Sequence, residues 1–110
     1  MPLFITYASY SNAGIKGIMD KPADRTEAIK PIVEKAGGKL LAAYMTTGSH
    51  DVVLVTELPD GSDAVAIGMA AAASGAVAKI ETVRAWTLGE FKSVAEKASR
   101  FAQGYVPPGR

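Results

Sequence analysis

TTGSHDVVLVTELPDG, residues Thr46 to Gly61, holds a turn, a strand and a helix start in sixteen positions. Val52 to Val55 is an unbroken apolar run, β-branched at three of its four positions, which is strand composition. Gly48-Ser49-His50 ahead of it supplies turn chemistry, so the run reads as the second strand of a hairpin. Pro59-Asp60-Gly61 behind it stops the strand and opens a helix, with Asp60 or Ser62 as cap. The run is apolar at both parities. A strand with one face in water alternates apolar and polar residues, and this one does not. Leu40 to Ala43 and Leu3 to Ile5 share the property. The sheet they build is therefore expected to be covered on both faces.

Outward from the hairpin, Lys39 to Thr47 (KLLAAYMTT) is its first strand. Gly37-Gly38 stop the preceding helix, about Ala23 to Ala36, whose Ile29, Ile32, Val33 and Ala36 share one face. Pro31 inside that pattern predicts a bend or local break. Pro22 separates it from a short helical piece, Ala13 to Met19, with Asn12 as its predicted cap. Leu3 to Ser9 is the first strand. Downstream come an alanine-rich helix, Asp63 to Ser74, and a fourth strand, Ile80 to Thr87. Thr87-Leu88-Gly89-Glu90 has capping-box spacing and opens a last helix, Gly89 to Gln103. Phe91, Val94, Ala95, Ala98, Phe101 and Ala102 make its apolar stripe. Gly104 to Arg110 is irregular.

The order is β-α-β-β-α-β plus a helix, the split βαβ pattern of an α+β, ferredoxin-like sandwich. Its four-stranded antiparallel sheet carries helices on one face. Residues 1–88 form this domain, and 89–110 are a C-terminal helix and tail packed on it or on a partner. A second copy is expected against the face without helices, giving a homodimer.

Composition narrows the function. With 110 residues the chain has room for one domain, and 48% hydrophobic residues support a core. Twelve basic and eleven acidic residues leave a net charge of +1. That balance argues against nucleic acid and against a charged membrane surface as partners. The absence of cysteine excludes disulfides, thiolate catalysis and thiolate metal sites. A single histidine excludes a multi-histidine metal centre within one chain, and no cofactor is expected. No segment has the length of a membrane span, and MPLFITYASY lacks signal-peptide character, so cytoplasmic residence is expected.

Several short motifs, in order, carry a family resemblance. They are Gly14-Ile15-Lys16, Pro22 with Arg25, Ala36-Gly37-Gly38-Lys39, and Gly48-Ser49-His50-Asp51 followed by VVLVTEL and Pro59-Asp60. Thr82-Val83-Arg84-Ala85-Trp86-Thr87 and Glu90 complete the set. Over about residues 3 to 91 the chain resembles the GYD-domain proteins of the dimeric α/β-barrel group. The family's namesake turn is Gly-x-Tyr-Asp, and His50 stands here in place of its tyrosine. The resemblance implies a dimeric α/β-barrel. Its barrel relatives include cofactor-free monooxygenases, isomerases, haem enzymes and ligand-sensing domains, so fold alone assigns no activity.

Topology collects Tyr10, Ser11, Asn12, His50, Asp51, Thr82 and Arg84 as candidates for one end of the sheet. His50 and Asp51 are the candidate catalytic pair, a proton-moving imidazole and an orienting carboxylate. Neighbours on a strand point to opposite faces, so the competing reading is a turn histidine beside a backbone-bonding aspartate. Tyr7, Tyr10, Asn12, Tyr44, Arg84 and Trp86 are the candidate ligand-binding residues. The aromatic ones serve equally as sheet and dimer-core residues with polar tips at the rim. The alanine run Ala70 to Ala73 leaves either a cavity above the sheet or a thin layer. His50 as a haem axial ligand is disfavoured by its place at a hairpin tip. Three functions follow in order. The first is a homo-oligomer binding a small organic ligand between helices and sheet. The second is a cofactor-independent oxygenase, isomerase or lyase. The third is a structural assembly subunit using the last helix and tail.

Overall fold

The computed structural model describes residues 1–110. In chain order it contains β1 (Leu3–Tyr10), α1 (Asn12–Asp20), α2 (Thr26–Lys35), β2 (Lys39–Met45), β3 (Val52–Glu57), α3 (Gly61–Ala73), β4 (Val77–Ala85) and α4 (Leu88–Ala102). The strands form one sheet in the order β2-β3-β1-β4, every neighbouring pair antiparallel. This is the expected ferredoxin-like sandwich. α2 lies over β2 and α3 over β4, both on the same face.

The sequence reading is corrected at four local points, the first being β4, which runs Val77–Ala85 and not Ile80 to Thr87. Ser11, not Asn12, caps α1: its extended backbone lets Oγ accept the Gly14 N–H at 3.1 Å. The second helix starts at Thr26, because Asp24 Oδ1 takes the Thr26 N–H at 2.9 Å and holds the chain before it in a turn. That backbone bond, and then the Thr26 hydroxyl, hold the Asp24 carboxyl below the ordinary carboxylate range. α2 also continues through Pro31, since the missing N–H frees only a carbonyl of the first turn on an exposed face.

Capping boxes open both later helices. Asp60 and Asp63 close the first, and the Thr87–Glu90 box closes the second with bonds of 2.9 and 3.1 Å. The Ser62 hydroxyl, then the Ser62 and Gly61 N–H groups, lower the Asp60 pKa. The Thr87 N–H, then its hydroxyl, do the same for Glu90. Depressed carboxylates stabilise their helix starts above the ordinary carboxylate range, and that contribution fades as pH falls through the lowered values.

Alternation along β1 sorts the two faces. Phe4, Thr6 and Ala8 point to the helices and are buried. Phe4, Val33, Leu58 and Ala64 make the core, with Ile29, Ile32, Leu40 and Ile67 packed on it. Burying a leucine such as Leu58 contributes about 1.5–3 kcal/mol. The opposite parity places Ile5, Tyr7, Val53, Val55 and Val83 on the other face, which no helix covers.

α4 does not cover that face either. Every residue in it is exposed except the half-buried Val94, and Leu88 is 94% exposed. Its one aromatic anchor is Phe91, edge-on to Trp86 with ring centroids 6.3 Å apart. The chain measures 61 × 32 × 23 Å, with a radius of gyration of 17.8 Å against about 13 Å for a compact chain of this length. No helix is long and apolar enough to cross a membrane.

Close backbone approach fixes α1 against the turn before β4. A Cβ on Gly14 would collide with the Ala76 carbonyl oxygen, while one on Gly17 meets nothing within 4 Å. Gly14→Ala is therefore expected to lower stability by about 1–3 kcal/mol. Gly17→Ala should be neutral or slightly stabilising. Urea titration of the two variants checks the contrast.

Candidate functional site

The end of the sheet where β1 finishes is a junction of five segments. Asp51 carries it. Its N–H donates to the Ala8 carbonyl at 2.9 Å, and its Oδ2 accepts the Tyr10 N–H at 2.9 Å. The Ser9 hydroxyl donates to the Ser49 carbonyl at 3.3 Å. The Thr46 hydroxyl and N–H donate to the His50 and Asp51 carbonyls, each at 2.8 Å. Ser11 ties in the turn before β4 through its N–H to Ala76 O at 2.9 Å and its hydroxyl to Gly75 O at 2.5 Å. The β2–β3 hairpin is thus latched to β1, and β1 to the end of α3.

That latch separates the candidate catalytic pair. Asp51 turns toward the β1 backbone. His50 turns to the open face, its ring centroid 5.2 Å from that of Tyr7. No bond joins their side chains. His50 Nδ1 is buried and unpartnered.

The candidate ligand residues are also divided. Tyr10 faces the helices. Tyr7 and the exposed Tyr44 sit on the open face, in register across Val53. Asn12 is exposed at the start of α1. Arg84, expected at the end where β1 finishes, is paired by register with Phe4, at the far end of β1 from Tyr10. There its guanidinium donates to the Leu3 carbonyl at 3.2 Å and to the Ala85 carbonyl, 4.4 Å from the Trp86 ring centroid. It closes the sandwich at that end, with Trp86 beside it.

Between the helices and the sheet lies a cleft of about 330 Å³, with 16 of its 22 lining residues hydrophobic. It exists because the side chains that could fill it are small. The floor is Thr6, Ala8, Leu54 and Thr56, and the α3 wall is Ala64, Gly68, Ala70 and Ala71. Of the two readings of the alanine run, the cavity is the one that forms. Its mouth carries Tyr10, Arg25 and Ser74.

Thr82, expected at the end where β1 finishes, lies instead mid-strand on the cleft floor, opposite Thr6. Thr6 and Thr82 share a hydroxyl bond of 3.0 Å across the strands. Thr56 is 4% exposed, lines the cleft and makes no side-chain hydrogen bond. The signal that finds them is parity: Thr6 and Thr56 are polar interruptions at the helix-facing positions of otherwise apolar strands.

The model of a family described as GYD domain matches residues 4–95. No curated protein sequence matches the chain. Among solved structures it is similar to one described as FFRP-DM1, at a TM-score of 0.52 and 15% identity, covering 78% of this chain and 100% of that one. It is also similar to TTHA0845 from Thermus thermophilus, at 0.50 and 17% identity, covering 79% and 95%. At such identities these two likenesses speak to the fold alone.

The Asp51 latch is testable. Asp51→Ala leaves the Tyr10 N–H without its acceptor and should cost about 1–3 kcal/mol in urea unfolding. Asp51→Asn keeps an acceptor oxygen and should recover most of that loss.

Proposed function

The chain belongs to the GYD-domain family, and we propose that it is a binding protein, holding a small organic molecule in the cleft between helices and sheet as a homodimer. The carrying observation is the cleft itself, about 330 Å³ and mostly apolar with a few convergent polar groups. That is the usual make-up of a small-molecule site. Binding is favoured over catalysis because neither a carboxylate nor an imidazole lines the cleft. The cofactor-independent oxygenase, isomerase or lyase reading needs His50 as base, and His50 stands on the other face of the sheet.

The test uses a panel of small organic metabolites and thermal unfolding. A ligand at a hundred times its Kd adds about 2.7 kcal/mol, which in a domain this size raises Tm by roughly 10 °C. At least one compound should do this for the native chain and fail to for Ala71→Phe, whose ring fills the cleft. A broad panel with no hit counts against the reading.

The dimer rests on a separate observation. Only ten of the 110 residues are buried, and the chain exposes 7679 Å². A folded monomer of 11.4 kDa is expected to expose about 5,800 Å². The excess of roughly 1,900 Å² per chain is what an obligate homodimer buries. We assign that interface to the apolar open face and the α4 stripe. A second copy with its sheet face to face, and α4 closing the edges, covers both at once. Sedimentation at micromolar concentration should give a dimer, and Val55→Lys, at the centre of the open face, a monomer. A monomeric native chain overturns this assembly. The structural-subunit reading needs α4 and the tail as the main contacts. Truncation after Glu90 tests it, since loss of the assembly supports that reading and an unchanged dimer rejects it.

A further inference from the structure

We infer that the cleft selects a slender monocarboxylic acid bearing a second oxygen on its apolar body. This rests on the reading of the cleft as a binding site and names its ligand class.

Charge sets the head group. Arg25 is the sole charged residue lining the cleft. The chain has one ion pair, Lys30–Glu34, so Arg25 has no carboxylate partner, and its side chain makes no hydrogen bond. A guanidinium at the mouth of an apolar slot offers a planar fork to one carboxylate. A phosphate would call for further cations or a row of free N–H groups, and no second cation lines the cleft.

The floor sets the second oxygen. Thr56, 4% exposed, faces the cleft with its hydroxyl unbonded. In the Thr6–Thr82 pair one hydroxyl proton is spent on the mutual bond and the other is free. An apolar ligand would leave these groups desolvated without partners, which is unfavourable. A keto, hydroxyl or phenolic oxygen would satisfy them.

Register sets the length. Arg25, Asp24 and Val52 line the adjoining groove at the hairpin end, where the Asp24 carboxylate is taken by the Thr26 N–H, and Thr56 lies four residues beyond Val52 along β3. Four strand residues span about 13 Å, and the arginine side chain reaches part of that distance. A ligand that fills the remainder of that span has roughly the length of two fused rings.

The test uses naphthalene probes on the full chain. Dissociation constants are measured for 2-naphthoic acid, its neutral isostere 2-naphthamide, 6-hydroxy-2-naphthoic acid and 2-naphthyl phosphate. Amide NMR shifts of Thr6, Ala8 and Thr56 report where each binds. The expected result is that 2-naphthoate binds about tenfold or more tightly than 2-naphthamide, and the hydroxy acid more tightly again. Arg25→Gln should abolish the acid's advantage while the amide still binds. Thr56→Val should abolish the hydroxyl's advantage. The first comparison needs no variant, so a misfolded variant does not decide it. If acid and amide bind the cleft equally, or the phosphate binds most tightly, the ligand class is wrong and the cleft reading stands. If no probe shifts the cleft signals at millimolar concentration, both fall.

Discussion

Two helices laid on a sheet stand off it by the length of the side chains between them, and here those side chains are unequal. At one end Phe4, Leu58 and Val33 fill the gap and close the core. Two residues further along β1 the floor drops to Thr6 and then Ala8, and the facing helix offers Gly68 and Ala71. Nothing large enough remains to bridge the layers. Packing to native density would close such a gap by drawing the layers together. Here the closed end props them apart, and the Asp51 and Ser11 bonds hold the other end in register. The cleft follows from that wedge.

The same sheet has a second unfilled requirement on its far side. Ile5, Val53, Val55 and Val83 face away from the helices, and α4 stands off the body instead of folding across them. An amphipathic helix of fifteen residues is marginal in water unless its apolar side is packed. Its capping box secures its start but adds little to the rest. Both surfaces group apolar side chains that reach solvent, Val83 on the sheet and Phe91 and Phe101 on the helix among them.

The fold is legible in the sequence because its signals are local and agree with one another. Parity in VVLVTEL, the Gly37-Gly38 stop, the Pro59-Asp60-Gly61 start and the Thr87–Glu90 box each name an element without reference to tertiary contacts. The misreadings are also local: Ser11 outcompetes Asn12 because the cap is the last extended residue, which sequence alone places within a residue or two. The site is less legible. Chain order brings Tyr10, Asp51 and Ser11 together correctly, since strand direction settles which ends meet. Alternation does set His50 and Asp51 apart, as a turn histidine beside a backbone-bonding aspartate, but it does not reveal that the aspartate's partner is the Tyr10 N–H of β1. Chain order overextends to Arg84, whose place depends on how far β4 runs before its last residue. The cleft itself is a matter of missing volume, and missing volume emerges only once opposing residues are paired.

Alternation makes the two faces of β1 inseparable in sequence. Thr6 floors the cleft and Tyr7 meets His50 on the open face, one residue apart. A one-residue slip of β1 would put Tyr7 into the cleft and Thr6 on the open side, spoiling both at once. The sheet therefore needs its register enforced from outside its own ladder, because strands apolar at both parities tolerate a slip better than alternating ones do. Asp51 provides that enforcement. Its N–H and its carboxylate grip Ala8 and Tyr10, two helix-facing positions flanking Ser9, and this spacing can be met in only one register. The aspartate next to the lone histidine thus acts as the pin that decides which residues of β1 face the cleft.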